Sequence, residues 1–155
     1  MDRILVGIDD SAGAVRALDR AAMLAGKLGA TLILVHVMTE DDAEGELPAS
    51  ERDAISRAES AGVLAGSPGD ARLREIGRQM LAKAEDQARA VGVRDCRTIL
   101  AEGDPAEQLV RLAGEEEATL IVVGRRGVAG LCAVLLGSVS TCVVQLAPQS
   151  VLVVS

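Results

Sequence analysis

Nearly continuous runs of apolar residues recur five times along the chain, at residues 4–8, 32–37, 98–101, 120–123 and 151–154. Runs of this length without apolar–polar alternation are typical of strands buried on both faces of a parallel sheet. Between the runs, apolar residues recur at every third or fourth position, which predicts helices. The chain therefore alternates strands and helices.

Polar residues, glycine and proline mark where the helices begin and end. The first helical pattern follows Ser11, the third begins at Asp104-Pro105, and the fourth begins at Gly137-Ser138. A capping residue followed by proline, as at Asp104-Pro105, is typical of a helix start. The spacing predicts that these helices bury Val15, Leu18, Ala22, Ala25, Leu28, Leu73, Ile76, Met80, Ala84, Ala88, Val91, Leu109, Val110, Ala113, Val139, Cys142, Val143 and Leu146.

This order of elements predicts one α/β domain over residues 1–155, a doubly wound, Rossmann-like, five-stranded parallel sheet with helices on both faces. The exception is the segment at about 38–69, which is acidic and rich in glycine and proline, with only 54–61 weakly helical. Since connections in such folds usually have about 2–6 residues, we expect this segment to be a surface excursion.

Composition excludes several classes of function. The net charge is −7, with 16 basic against 23 acidic residues, and there is no Phe, Tyr or Trp to stack on bases. Both features argue against a nucleic-acid partner. The longest apolar stretch, 128–136, has about half of the ~20 residues of a membrane span, so no membrane insertion is expected. Three cysteines without a CxxC pair and no signal-peptide pattern predict reduced thiols and a cytoplasmic protein.

Candidate chemistry follows the first and fourth strands, because ligands of parallel sheets bind beyond the carboxyl ends of the strands. The first strand is followed by Asp9-Asp10-Ser11, and the fourth by Gly124-Arg125-Arg126-Gly127. Nine residues after Gly127, Gly137-Ser138 open the last helix. Glycines let backbone amides approach an anion, and a helix N-terminus adds free donors. The pattern predicts a phosphate site.

The spacing Gly-x-x-Gly-x9-Gly-Ser resembles the nucleotide-binding motif of the universal stress protein family, in its ATP-binding branch. Residues 4–11, 34–37, 102–106 and 147–154 resemble further family segments. The resemblance implies an adenine-nucleotide-binding fold that holds ATP, with Mg²⁺ or Mn²⁺ on its phosphates. It also implies a homodimer that pairs the last strands, Val151–Ser155.

The resemblance implies a site built from strand ends and one helix start: Asp9, Val37, Gly124, Arg126, Gly127, Gly137, Ser138 and Val139. Asp9 would lie beside the ribose or adenine, and the backbone of Val37 beside the adenine edge. The glycines of the first loop would line the ribose and phosphates, where Arg126 would also make contact. Residues 137–139 would hold phosphate oxygens. No catalytic residue and no metal-binding side chain is assigned.

The chain departs from the family pattern at three places. Gly7 replaces the usual proline, Asp10 replaces a common glycine, and Gln149-Ser150 replace the frequent Cys-Pro before the last strand. The first two departures touch the nucleotide side. The added charge at Asp10 would either attract a divalent cation or disfavour a triphosphate.

Several of these residues have a purely structural alternative. Asp9 could cap the first helix, and Arg125 is expected to be solvated, because adjacent arginines on a loop usually are. His36, the only histidine, fits a hydrogen-bonded structural residue better than a catalytic one. Cys132 and Cys142 fit packing thiols.

Three functions remain open from the sequence. The leading hypothesis is an ATP-binding regulatory protein of the stress response that signals through an unknown protein partner. The second is a slow metal-dependent ATP hydrolase, which is disfavoured because the two lysines, Lys27 and Lys83, lie within predicted helices away from the motif. The third is a dimeric interaction protein that binds no nucleotide. AMP, ADP and cyclic nucleotides stay possible competitors of ATP.

Overall fold

The computed structural model describes residues 2–39, 68–125 and 137–155. In these ranges the chain forms five strands and four helices in strict alternation. In chain order they are β1 (Arg3–Gly7), α1 (Ala12–Leu28), β2 (Thr31–Met38), α2 (Pro68–Ala90), β3 (Cys96–Glu102), α3 (Pro105–Glu115), β4 (Leu120–Gly124), α4 (Ser138–Leu146) and β5 (Ser150–Val154).

The strands form one parallel sheet in the order β3-β2-β1-β4-β5. The predicted doubly wound α/β fold is therefore confirmed. The chain winds outward from β1 through β2 to β3, and then continues on the other side of β1 through β4 to β5. The winding direction reverses between β1 and β4, and this is the place where such sheets bind ligands.

Two apolar layers cover the sheet. On one face, Ile4 and Val6 pack with residues of α1 and α2. On the other face, Leu5 packs with residues of α3 and α4. This alternation along β1 places the helices on both faces, as predicted. Both faces are buried along all of β2 and at the three central residues of β1 and of β4, whereas β3 and β5 form the edges and expose part of their side chains.

The orientation of α1 differs from the sequence prediction. Val15 and Leu28 were expected in the core but are 47% and 62% exposed. The buried stripe consists mainly of small residues: Gly13, Ala14, Ala17, Leu18, Ala21, Ala22 and Ala25. Small side chains let the helix axis approach the sheet closely, so the tightest contact turns the larger Val15 and Leu28 outward.

Three further apolar positions were predicted wrongly as buried. Val91, just beyond α2, is 60% exposed, Leu146 is 57% exposed, and Cys142 is also exposed. Helix α4 has nine residues and buries only Ser140 and Val143, because its outer face has no neighbouring element in the described part of the chain. Exposure of Cys142 also contradicts its interpretation as a packing thiol.

Three other expectations concern the cysteines, the excursion at 38–69 and membrane insertion. Cys96 is half-buried, Cys132 lies outside the described residues, and the reduced state of the thiols stays a prediction. Most of the excursion at 38–69, including 54–61, also lies outside them. Within the described ranges, no helix is both long enough and apolar enough to cross a membrane.

Candidate functional site

The carboxyl ends of the three central strands meet at the point where the winding reverses. Gly7 pairs with Val35, and Val6 pairs with Val122. Continued by two residues, the register between β1 and β2 places Asp9 opposite Val37. Continued by three residues, the register between β1 and β4 places Asp9 opposite Arg125. The three residues therefore lie at one level of the sheet edge. The structure thus brings Asp9 and Val37, two of the predicted site residues, onto neighbouring strand ends, with Gly124 close behind them.

Asp9 forms a tight turn at this edge and does not cap the helix. Its Oδ1 accepts a hydrogen bond of 2.8 Å from the amide of Ser11. Ser11 is the N-cap of α1, where its Oγ accepts from the amide of Ala14 at 3.1 Å. The capping alternative for Asp9 is therefore wrong. The turn holds the Asp9 carboxylate at the end of β1, beside the first turn of α1.

Gly124 makes a close backbone contact that the sequence analysis missed. A Cβ atom at Gly124 would overlap the carbonyl group of Gly13 and lie 2.6 Å from the amide nitrogen of Ala14. Conversely, a Cβ at Gly13 would lie 2.7 Å from the carbonyl oxygen of Arg125. The two glycines let the end of β4 and the start of α1 touch. The signal available in the sequence was a glycine in the first turn of a predicted helix.

The start of α4 matches the predicted phosphate-binding end. Gly137 is the N-cap, with φ −61° and ψ 162°, and no side chain caps the helix. Ser138 is exposed and Val139 half-buried. Because α4 leads into β5 and runs antiparallel to it, the N-terminus of α4 lies at the same sheet edge as Asp9. Its first amides have no side-chain acceptor in the described part of the chain, and they carry the positive end of the helix dipole.

His36 links β2 to the end of β1. The ring is buried, and Nδ1 lies 2.8 Å from the carbonyl oxygen of Ile8. A carbonyl oxygen only accepts, so Nδ1 carries a proton and donates it. A Cβ at Gly77 would lie 2.9 Å from Cδ2 of the ring, which shows how closely α2 covers it. The structural interpretation of His36 is confirmed, and its bond fixes the residue that precedes Asp9.

The rest of the glycine motif is described only in part. Arg126 and Gly127 lie outside the described residues. Arg125 is half-buried, contrary to the alternative of a solvated side chain, and its amide donates to the carbonyl oxygen of Val154 at 2.8 Å. The described ranges hold no cluster of three or more His, Cys, Asp or Glu side chains that could bind a metal ion.

Comparisons with known proteins agree with this arrangement. The model of the universal stress protein family matches residues 1–155. Universal stress protein YxiE of Bacillus subtilis is 34% identical over 160 residues, which covers 99% of this chain and 98% of that protein. Universal stress protein Rv1636 of Mycobacterium tuberculosis is 36% identical over 155 residues, covering 97% of this chain and 94% of that protein.

A solved structure adds the three-dimensional comparison. The crystal structure of a universal stress protein in complex with cAMP is 29% identical and has a TM-score of 0.69, covering 99% of this chain and 95% of that one. The sequence comparisons and the structure comparison therefore both cover nearly the whole length of this chain. The chain belongs to the universal stress protein family.

Proposed function

We propose that this protein binds ATP, with Mg²⁺ or Mn²⁺ on the phosphates, at the sheet edge between β1 and β4, and that the bound nucleotide regulates its contacts with a protein partner. The observation that carries the proposal is the N-terminus of α4, which no described side chain caps, at the same edge as Asp9, Val37 and Gly124. The cAMP complex of a related universal stress protein supports an adenine nucleotide as the ligand class.

The backbone at the start of α4 suits phosphate oxygens. Three successive amide donors come from Gly137, Ser138 and Val139, and the Ser138 hydroxyl adds one more donor. Side chains cap many helices with an oxygen acceptor, but Gly137 supplies none. A phosphate at this place would accept hydrogen bonds from these amides and interact favourably with the positive end of the helix dipole. Arg126 and Gly127 would complete this end of the site.

The opposite end of the site suits adenine without aromatic stacking. Val37 is buried, and it pairs with Ala101 on β3, so aliphatic side chains surround this strand end. The backbone of Val37 would offer hydrogen bonds to the adenine edge. Asp9, one strand further along, would accept hydrogen bonds from the ribose. The chain has no Phe, Tyr or Trp, so backbone groups must supply most of the recognition.

The charges favour a metal-bound triphosphate over a bare one. Asp9 and its neighbour Asp10 are acidic and lie beside the proposed site, so a bare triphosphate would be repelled. A divalent cation would neutralise part of the phosphate charge when bound. Because the described ranges hold no ready metal cluster, phosphate oxygens would supply most of its ligands.

The positions of the lysines favour retention of ATP over rapid hydrolysis. Lys27 lies in the last turn of α1, at the sheet edge opposite the site, and Lys83 lies on the exposed side of α2. Neither can reach a phosphate bound at the start of α4, where fast phosphoryl transfer normally needs a lysine. We expect turnover well below about 1 s⁻¹, the lower end of ordinary enzymes. A cytoplasmic location stays a prediction.

Replacement of Ser138 by proline tests the phosphate end. Position 138 is the first residue of α4, where proline is tolerated. Gly137 has the extended backbone conformation that a residue before proline prefers. Ser138→Pro therefore deletes one amide donor without breaking the helix. Calorimetry with MgATP should show an affinity at least about tenfold weaker, since a hydrogen bond to a charged group is worth about 1.5–3 kcal/mol.

Ser138→Ala is the matched control, because it removes the hydroxyl and keeps the amide. We expect it to retain more affinity than Ser138→Pro. Equal MgATP affinity of Ser138→Pro and the wild type would contradict the site. Absence of any nucleotide from the purified protein, together with no measurable binding of MgATP, would favour the nucleotide-free interaction protein instead.

We also propose a homodimer in which the β5 strands, Val151–Ser155, pair antiparallel. β5 is an edge strand of the sheet, and Val151, Leu152 and Val153 are only half-buried. An apolar edge without proline or charge is prone to association unless it is paired. A twofold contact closes on itself and does not build fibres.

Val153→Lys should weaken this dimer, because the two copies bring like charges near the twofold axis. Val144→Lys is the control: Val144 is 46% exposed on α4, so the same change leaves β5 intact. Light scattering at micromolar concentration should find dimers for the wild type and Val144→Lys, and monomers for Val153→Lys. A monomeric wild type would contradict the dimer.

A further inference from the structure

The hydrogen-bond ladder between β1 and β2 stops just before the ligand edge of the sheet. Gly7 is the last residue of β1 that pairs with β2, and the amide of the next residue, Ile8, donates to the carbonyl oxygen of Val35 at 2.7 Å. Because neighbouring residues of a strand direct their backbone groups to opposite sides, Val37 faces β1 as Val35 does. A regular parallel ladder would continue with the Val37 amide donating to the Ile8 carbonyl.

The imidazole of His36 takes that carbonyl instead. Its Nδ1 donates to the carbonyl oxygen of Ile8 at 2.8 Å, and within the described ranges no backbone hydrogen bond joins Val37 to Ile8 or to Asp10. The chain then turns at Asp9, where its carboxylate accepts from an amide two residues later. The amide and the carbonyl of Val37 therefore both face the ligand edge without a described backbone partner from the β1 side.

Helix α2 fixes the ring of His36 from the side. A Cβ at Gly77 would lie 2.6 Å from Cδ1 of Leu100 and 2.9 Å from Cδ2 of the ring. Only glycine lets the helix lie this close to the imidazole. The ring is also buried, so packing holds its Nδ1 on the Ile8 carbonyl.

The backbone groups of Val37 match the edge of one particular base. More than about 90% of buried backbone N–H groups in folded proteins are paired, and Val37 is buried, so an open amide here indicates that a ligand supplies the acceptor. Adenine has a ring-nitrogen acceptor beside an amino donor on one edge, which fits an N–H and a C=O. Hypoxanthine has the reverse pattern, a ring N–H donor beside a carbonyl acceptor.

We propose that His36 is a positioning residue that keeps the Val37 amide open for adenine and thereby sets a preference for adenine over hypoxanthine. This proposal rests on the proposed nucleotide site. Without His36, the Ile8 carbonyl would accept from the Val37 amide, and β1 and β2 would pair further toward the ligand. The base would then lose one donor. A site that loses a polar contact discriminates less between two ligands that differ at that contact.

Calorimetry with MgATP and MgITP, which differ only in these two bases, tests the preference. The wild type should bind MgATP more tightly, and His36→Leu should reduce the ratio of the two affinities about tenfold, as expected for one lost hydrogen bond. A general loss of stability would lower both affinities alike. His36→Asn should restore the ratio, because its Nδ2 takes the place of Nδ1. His36→Gln is the matched control: its amide lies one carbon further out, so it should not restore the ratio.

Hydrogen exchange of backbone amides in the nucleotide-free protein tests the same contact without a ligand. After correction for intrinsic rates, the amide of Val37 should exchange at least about tenfold faster than that of Val35, which lies in the paired part of the ladder. His36→Leu should bring the two rates together, whereas His36→Asn should keep them apart. The ratio is taken within one protein, so it is insensitive to differences in global stability.

An unchanged ratio of MgATP to MgITP affinity in His36→Leu would overturn the proposal. So would equal exchange rates of Val37 and Val35 in the wild type, or a ratio of exchange rates that His36→Leu leaves unchanged. Absence of MgATP binding by the wild type would contradict the proposed function, and the exchange rates would then decide by themselves whether His36 keeps the amide open.

Discussion

The contact between Gly124 and Gly13 predicts that Gly124→Ala destabilises the protein strongly. The new Cβ would overlap the carbonyl group of Gly13 and approach the amide nitrogen of Ala14 to 2.6 Å. These are backbone atoms of the first turn of α1, so no side-chain rotation can relieve the overlap. Overpacking typically costs about 1–3 kcal/mol, and a backbone clash belongs at the upper end.

Replacing Gly124 by alanine also makes a small stabilising contribution to the free energy of unfolding. Alanine restricts the unfolded chain, which stabilises the folded state by about 0.5 kcal/mol. The net loss in the free energy of unfolding is therefore at least about 2 kcal/mol. For a domain of this size, that corresponds to a fall in Tm of about 4–8 °C.

Gly114→Ala provides the matched control. Gly114 lies in α3, is exposed, and a Cβ there would have no heavy atom within 4 Å. This variant should be more stable than the wild type by about 0.5–1 kcal/mol, because alanine favours helix. The same chemical change is thus expected to have opposite signs at the two positions.

Urea unfolding followed by far-ultraviolet circular dichroism measures both variants. Intrinsic aromatic fluorescence cannot be used, because the chain has no Phe, Tyr or Trp. Protein concentration must be held constant, since association would change the apparent stability. If Gly124→Ala unfolds within about 0.5 kcal/mol of the wild type, the range of neutral surface changes, the described contact between β4 and α1 is wrong.

The further predictions concern three single side chains, those of Cys96, His36 and Asp104. Burial, and secondarily the charge of Glu85, raises the pKa of the Cys96 thiol from 9.0 to about 11. Alkylation at pH 8 followed by mass spectrometry should therefore modify Cys142 before Cys96. Since the raised pKa favours the neutral thiol in the folded state, Cys96→Ser should reduce the loss of stability between pH 9.0 and about 11, measured by thermal unfolding. His36→Leu removes the donor to Ile8 and should cost about 1–3 kcal/mol in urea unfolding. Asp104→Ala removes the N-cap of α3 and should cost about 1 kcal/mol in the same assay; no change would contradict the cap.

Local patterns in the sequence were sufficient for the elements and their winding. The five apolar runs became the five strands, and the capping signals at Ser11 and Asp104 mark real helix starts. Both kinds of signal depend on the residues of one segment, so they can be read without knowledge of the fold. Strict alternation of strands and helices then leaves few topologies, because crossovers between parallel strands are right-handed.

The candidate site was predictable to the extent that it consists of strand ends and a helix start. Asp9, Val37, Gly124 and residues 137–139 all belong to one sheet edge. The residues could be chosen because a glycine motif is a local pattern. Their roles toward a ligand stay predictions, and Arg126 and Gly127 lie outside the described residues.

Tertiary structure alone decided which side of each helix is covered and which glycines are required by contact. Val15 and Leu28 face outward because the alanine stripe of α1 allows closer packing on the sheet. Gly13 meets Gly124 although the two lie far apart in the chain. Burial and close approach are properties of two elements placed together, whereas periodicity and capping are properties of one. The sequence therefore determined the elements, and their packing determined what each exposes.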